Sequence, residues 1–212
     1  KEMDFDCMGA AIGISRIIST YNKVVSIVFN EDDIEDKLAN AMRRYGDKFY
    51  ERLNFVNEIE ALSLLEDDTL VIMVDHHDIN QTNARQVIER AKRIVVIDHH
   101  RRRTDFSFMP LLAYIETGAS SVSELVTELF PYQLSRVNIS EVEATIMFMG
   151  ILIDTNHFKI RTGSRTFEAA AQLKSFGADP MEADELLKDS YDDFSLKTSV
   201  LKYCEKLDNG VI

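Results

Sequence analysis

Cysteine is scarce in this chain: Cys7 and Cys204 are the only two among 212 residues, and they lie far apart. That excludes a disulfide framework and points to a reduced, cytoplasmic setting. Basic residues are also short, 24 against 36 acidic ones, for a formal net charge of −12. Non-specific binding to double-stranded nucleic acid needs a basic field and is therefore not expected. An anionic substrate remains admissible, because bound divalent ions reverse the local sign. No apolar run approaches the roughly 20 residues that span a membrane, and no leader-like segment opens the chain; no membrane contact is expected of this segment. Internal repeats and low-complexity stretches are absent as well. What remains is a 45% hydrophobic chain, ample for the core of one large α/β domain.

The most informative stretch is Arg93-Ile-Val-Val-Ile-Asp98-His99-His100, followed by Arg101, Arg102 and Arg103. A β-branched run without charges predicts a strand buried on both faces. Its carboxyl end, where open α/β sheets keep their ligands, then carries an acid and two imidazoles. Other acids fall at comparable places: Asp4 and Asp6 before a glycine-bearing helix, Asp75 after Thr69-Leu-Val-Ile-Met-Val, and Asp154 after Gly150-Ile-Leu-Ile.

Taken in order, the pattern predicts a helix over Gly9–Ser19, a strand over Lys23–Phe29 and a helix over Glu31–Tyr45, acidic early and basic late as the helix dipole prefers. A short helix near Ile59–Leu65 leads to the Asp75 strand. After a polar loop over Asp78–Arg85, a helical turn over Gln86–Ala91 precedes the Asp98 strand. A further strand covers Leu111–Ile115. Helices follow from Ser120 to Leu129 and from Ile139 to Ile153, with Ser121/Glu124 and Ser140/Glu143 at capping-box spacing; the approach to Asp154 also fits a strand. Helices near Arg165–Ser175, Pro180–Lys188 and Ser195–Leu207 complete the chain. The expected fold is α/β, a mostly parallel sheet with flanking helices, with residues 1–190 as the domain and 191–212 as a helical connection leading outward. Both ends look cut: no strand precedes Asp4, and Asp208–Ile212 reads as a turn entering a strand.

Each acid alone has a plain explanation as a cap or turn former. Four such acids together with a histidine repel one another unless cations lie among them, so the joint pattern reads as a dinuclear metal site. Oxygen-rich, histidine-poor ligation favours Mn²⁺ or Mg²⁺ over thiolate-type zinc. Of the two triplets, Asp75-His76-His77 and Asp98-His99-His100, only the second is followed by arginines that suit an anionic substrate. Arg161-Thr162-Gly163-Ser164-Arg165 reads as a loop into a helix amino end, and Gly118-Ala119-Ser120-Ser121 as another. Arg101, Arg102, Arg161, Arg165, Ser120 and Ser121 are thus candidate substrate contacts, with solvated loops and plain capping as the competing readings. His157 stays unassigned. No signal supports a serine or cysteine nucleophile.

These motifs resemble, in order and spacing, those of the DHH phosphoesterase superfamily, which includes exonucleases of the RecJ kind, oligoribonucleases and family II inorganic pyrophosphatases. Ile97-Asp-His-His-Arg-Arg, Ala119-Ser-Ser with Glu124-Leu, and Arg161-Thr-Gly-Ser-Arg-Thr-Phe167 are most similar to the GdpP-type cyclic-di-AMP phosphodiesterases. The resemblance implies two Mn²⁺ ions, with Mg²⁺ or Co²⁺ as substitutes. Asp4 and Asp75 would hold one; Asp6, Asp75, His99 and Asp154 would hold the other. His100 would face a cyclic dinucleotide substrate, and Asp98 would orient a histidine. Catalytic roles thus fall to Asp75, Asp98, His99 and His100. The implied product is the linear dinucleotide pApA. The alternatives are an oligoribonuclease, a 3′,5′-bisphosphate nucleotidase, a pyrophosphatase, or a non-catalytic nucleotide sensor on a decayed site. A further histidine ligand is expected upstream of Lys1 and a DHH-associated domain beyond Ile212. A homodimer and a membrane-anchored parent protein are also expected. Ala10 and His76 depart from the family pattern, where serine and threonine are frequent.

Overall fold

The computed structural model describes residues 2–101, 106–188, 195–196, 198–200 and 202. The strands form two sheets: β1 (Ile27–Val28) beside β2 (Phe55–Val56), and β3 (Leu70–Val74), β4 (Arg93–Asp98) and β5 (Leu112–Ile115) in that order. Every pairing is parallel, and helices connect and flank the sheets, as the α/β reading expects. These helices are α1 (Phe5–Ser19), α2 (Asp36–Tyr45), α3 (Asp47–Tyr50), α4 (Glu58–Leu64), α5 (Arg85–Arg90), α6 (Val122–Glu128), α7 (Glu141–Asp154), α8 (Ser164–Ser175) and α9 (Pro180–Leu187).

Helix α1 is the packing centre. Asp4 caps it, Oδ1 accepting from the Cys7 amide at 2.9 Å. Behind the cap most residues are small or apolar, and Asp6, Ser15 and Arg16 are buried with them, so the helix is buried on most sides rather than on one stripe. Phe5, Met8, Ala10 and Ile12 have no exposed surface, and burying each large side chain contributes about 1.5–3 kcal/mol. Glycine lets the neighbouring backbones close in. A Cβ on Gly9 would stand 2.9 Å from Met147 Cα in α7, and one on Gly150 would stand 2.9 Å from Asp6 Cα. Buried Glu143 ties this packing together: Oε1 accepts from Arg16 Nε at 2.9 Å and Oε2 from Arg52 Nη1 at 3.2 Å.

The three-stranded sheet sets the level of the site. Val74 pairs with Ile97 and Asp98 with Ile115, so the carboxyl ends of β3, β4 and β5 finish side by side. The Asp75 amide continues the ladder, donating to the Ile97 carbonyl at 3.0 Å.

Several elements differ from expectation. The Lys23–Phe29 strand shrinks to Ile27–Val28, because its partner β2 offers only two residues and Val24 stands 94% exposed. The helix expected from Glu31 starts at Asp36 instead. Residues Glu31–Asp33 form a 3₁₀ turn, and Ile34 is drawn into a parallel bridge with Met3. The Met3 amide donates to the Asp33 carbonyl at 2.8 Å and the Glu35 amide to the Met3 carbonyl at 3.0 Å. The helix expected over Ile139–Ile153 does form, and its alternative strand near Asp154 does not: α7 runs unbroken from its Ser140/Glu143 capping box to Asp154. At α6 only half of the expected box forms. Ser121 Oγ accepts from the Glu124 amide, while the Glu124 carboxylate turns to the Ser120 hydroxyl and amide. Of the helix expected over Ser195–Leu207, residues 195–196 and 198–200 are helical; residues 197, 201 and 203–207 lie outside the described residues.

Candidate metal centre

Strand ends and helix ends deliver the ligand types from opposite sides. Asp75 follows β3 directly and takes a left-handed backbone, φ 63°, which aspartate tolerates better than most residues. Asp98 is the last residue of β4, with His99 and His100 immediately behind it. Asp6 lies in the first turn of α1, where Gly150 brings α7 against it. Asp154 is the last residue of α7.

Asp6 does more than its position before a helix suggests. Its carboxylate caps α6 from across the core: Oδ2 accepts from the Val122 amide and Oδ1 from the Ser123 amide, each at 2.7 Å. Burial pushes its titration upward, the largest influence, while His99 and those amides pull the other way. Asp98 shows the opposite balance. Burial alone would raise it, but hydrogen bonds outweigh burial and hold it at about 2. His100 Nδ1 donates to Oδ1 at 2.8 Å and His77 Nδ1 to Oδ2 at 2.5 Å, and the His99 and His100 amides also reach Oδ1.

His99 is the convergence point. Its Nε2 stands 3.3 Å from Asp154 Oδ2, 3.6 Å from Asp75 Oδ1 and 4.0 Å from Asp6 Oδ2. Burial is the largest influence on the ring and lowers its pKa, keeping it neutral. The ring also hydrogen-bonds to the Ala119 backbone, a carbonyl that can only accept, so Nε2 is left as the lone pair. That atom is buried and has no hydrogen-bond partner among the described residues. A lone pair facing three carboxylate oxygens is repulsive by itself and attractive around a cation. The donor set of carboxylate oxygens and neutral imidazole suits Mn²⁺ or Mg²⁺. Two overlapping groups, Asp6–His99–Asp154 and Asp75–His99–His100, each present three ligand atoms within 4.8 Å of one another.

The other expected site residues are placed as follows. Asp4 stands outside both groups, its Oδ1 serving as the α1 cap. His100 is half-exposed, with Nδ1 on Asp98 and 3.6 Å from Asp75 Oδ1. Arg101 and Arg161 are exposed; Arg102 lies outside the described residues. Ser120 and Ser121 are fully buried, and their hydroxyls serve the start of α6 rather than an open surface. Arg165 is held by Glu128 through two hydrogen bonds of 2.7 Å, which keep the guanidinium charged. The motif reading kept the two Asp-His-His triplets apart; the structure joins them through His77 and Asp98. It also missed Ser123, whose hydroxyl donates to the Asp6 carbonyl at 3.3 Å between Gly9 and Gly150. The only signal for that was small residues in three separate helices.

The sequence is 40% identical over 206 residues to the cyclic-di-AMP phosphodiesterase GdpP of Bacillus subtilis, covering 96% of this chain and 31% of that protein. It is 33% identical over 208 residues to the cyclic-di-AMP phosphodiesterase PdeA of Listeria monocytogenes, covering 98% and 32%. The chain thus spans about a third of the length of the curated relatives it matches. An exopolyphosphatase-related protein from Bacteroides fragilis superposes with a TM-score of 0.75 at 20% identity, covering 95% of this chain and 58% of that one, a likeness of fold. The sequence model for the N-terminal domain of the DHH family matches residues 1–151, and the chain belongs to the DHH family.

Proposed function

We propose that this chain carries the catalytic centre of a metal-dependent phosphodiesterase that opens cyclic-di-AMP to the linear dinucleotide pApA. The observation that carries the reading is the buried, neutral His99 with its Nε2 aimed at Asp154, Asp75 and Asp6. The substrate is taken from the relatives, two of which are cyclic-di-AMP phosphodiesterases. In this reading Asp6, Asp75, His99 and Asp154 hold one Mn²⁺, and Asp75 with Asp4 holds a second. When bound, such ions lower the pKa of water and neutralise charge on a transferring phosphoryl group.

The protein's own residues set the stage for that chemistry. Asp98, ionised and fully buried, fixes the half-exposed His100 ring through Nδ1. With Nδ1 donating to Asp98, the imidazolium form carries an Nε2–H that can donate to a phosphate oxygen and stabilise the leaving oxygen as the P–O bond breaks. His77 grips the second oxygen of Asp98 and prevents the carboxylate from rotating away. Exposed Arg101 and Arg161 supply cations for the phosphates, each charge-assisted contact contributing about 1.5–3 kcal/mol.

The test is turnover by the full-length protein with Mn²⁺, assayed in parallel on cyclic-di-AMP, pyrophosphate and a short RNA. Preferential linearisation of cyclic-di-AMP is expected. Preference for pyrophosphate or RNA would transfer the centre to another branch of the family, and turnover of none would make it a sensor.

A further inference from the structure

Three phenylalanines form a ladder that climbs from the core to the surface beside Asp154. Phe148 is buried; its ring centroid lies 6.0 Å from that of Phe158. Phe158 in turn stacks on Phe167 at 5.3 Å with 22° between the planes. Phe167, in the first turn of α8, remains 54% exposed. Burying such a ring is worth about 1.5–3 kcal/mol, yet this one is presented to solvent.

The middle rung is held at a cost. Asn156, His157 and Phe158 are consecutive left-handed residues, φ 46°, 56° and 60°, a conformation that costs about 1–2 kcal/mol per non-glycine residue. The turn is anchored on buried Thr155, next to Asp154. Thr155 Oγ1 accepts from the Phe158 amide at 3.0 Å, and its carbonyl accepts from the Lys159 and Ile160 amides at 2.9 and 3.0 Å. Strain of this kind persists where surrounding structure enforces it, and it gathers at functional sites. Exposed Lys159 and Arg161 flank the ladder. Both outer rings lie beyond residue 151, where the match to the family's shared domain ends.

We infer that Phe167, backed by Phe158, is a stacking platform for a nucleobase of the bound nucleotide. This rests on the phosphodiesterase reading above. A phosphate held near Asp154 carries its base on the attached ribose, and Phe167, stacked on the ring of the turn that follows Asp154, offers an exposed aromatic face. Base–aromatic stacking is worth about 1–3 kcal/mol per base and is tolerant of base identity. Phenylalanine has no donor or acceptor, so the platform reads a π face and does not separate adenine from guanine.

The experiment uses full-length protein with Mn²⁺ and compares equilibrium binding of adenosine monophosphate with that of inorganic phosphate for wild type, Phe167→Leu and Phe167→Trp. Leucine keeps the apolar bulk and removes the π face. The expected result is a roughly 10-fold weaker Kd for the nucleotide in Phe167→Leu, unchanged phosphate binding, and recovery in Phe167→Trp. An unchanged nucleotide Kd overturns the inference. So does equal weakening for phosphate, which would mean a structural role. A lowered melting temperature with unchanged nucleotide binding also overturns it and assigns the ring to packing. Because binding is measured directly, the platform stands or falls separately from turnover of cyclic-di-AMP.

Discussion

Asp75 and Asp98 follow adjacent strands of one sheet yet do different work, and substitutions should separate them. Asp75→Ala is expected to abolish metal binding and turnover together, since its Oδ1 lies 3.6 Å from both His99 Nε2 and His100 Nδ1; tightly held Mn²⁺ in that variant, read by metal analysis, would remove Asp75 from the centre. His77→Ala acts through Asp98. The Asp98 pKa is depressed to about 2 in the folded state, so its contribution to stability is full above the ordinary carboxylate range and is lost as pH falls through about 2. Removing one of the two histidine donors should raise that folded-state value toward the ordinary range. Acid unfolding of the metal-free variant should then begin at higher pH than in the wild type, which circular dichroism against pH would record. Coincident acid transitions would show that His77 does not hold the carboxylate.

At the scale of elements, the site depends on how closely α7 lies against α1. Gly150→Ala would set a Cβ 2.7 Å from Ser123 Oγ and 2.9 Å from Asp6 Cα. The second of these is backbone, so the helices must part. Overpacking of this kind costs about 1–3 kcal/mol, and Asp6 should move with α1. A lower melting temperature together with weaker Mn²⁺ binding is expected; normal metal affinity would show that the helix contact is structural only. Glu143→Ala probes the other end of α7. It strands the buried Arg16 guanidinium, whose pKa burial already lowers. Breaking a buried pair by removing one partner costs about 3–5 kcal/mol. Chemical denaturation should show a loss of that size; a loss below 1 kcal/mol would mean water replaces the carboxylate.

The whole molecule carries a formal charge of −12, and part of that charge is concentrated where Asp6, Asp75 and Asp154 meet His99. Cation binding should therefore stabilise the fold itself. At a free ion concentration 100 times Kd the gain is about 2.7 kcal/mol. Thermal melts with Mn²⁺ and with chelator should differ by several degrees, and the difference should vanish in Asp75→Ala. Identical melts for the wild type would argue that the carboxylates are tolerated without an ion. Among the described residues no helix is long and apolar enough to cross a membrane.

Local pattern was enough to place the strands that end at Asp75 and Asp98, because a β-branched run without charges has few alternatives in a parallel sheet. It was enough for the Ser140 cap as well, since a cap is decided within four residues. The run into Asp154 was legible as helix from its capping box but not uniquely so: Gly150-Ile-Leu-Ile also suits a buried strand, and packing against α1 through Gly150 settles which. Contacts between residues distant in sequence were equally hidden. Asp6 caps α6 across 116 residues, Arg165 is taken by Glu128 across 37, and His77 reaches Asp98 across 21. The types of ligand were therefore written in the chain, while which carboxylates face one imidazole, and which arginine stays open to a phosphate, were decided by the tertiary structure, because side-chain partnership depends on distance in space and not on spacing in sequence.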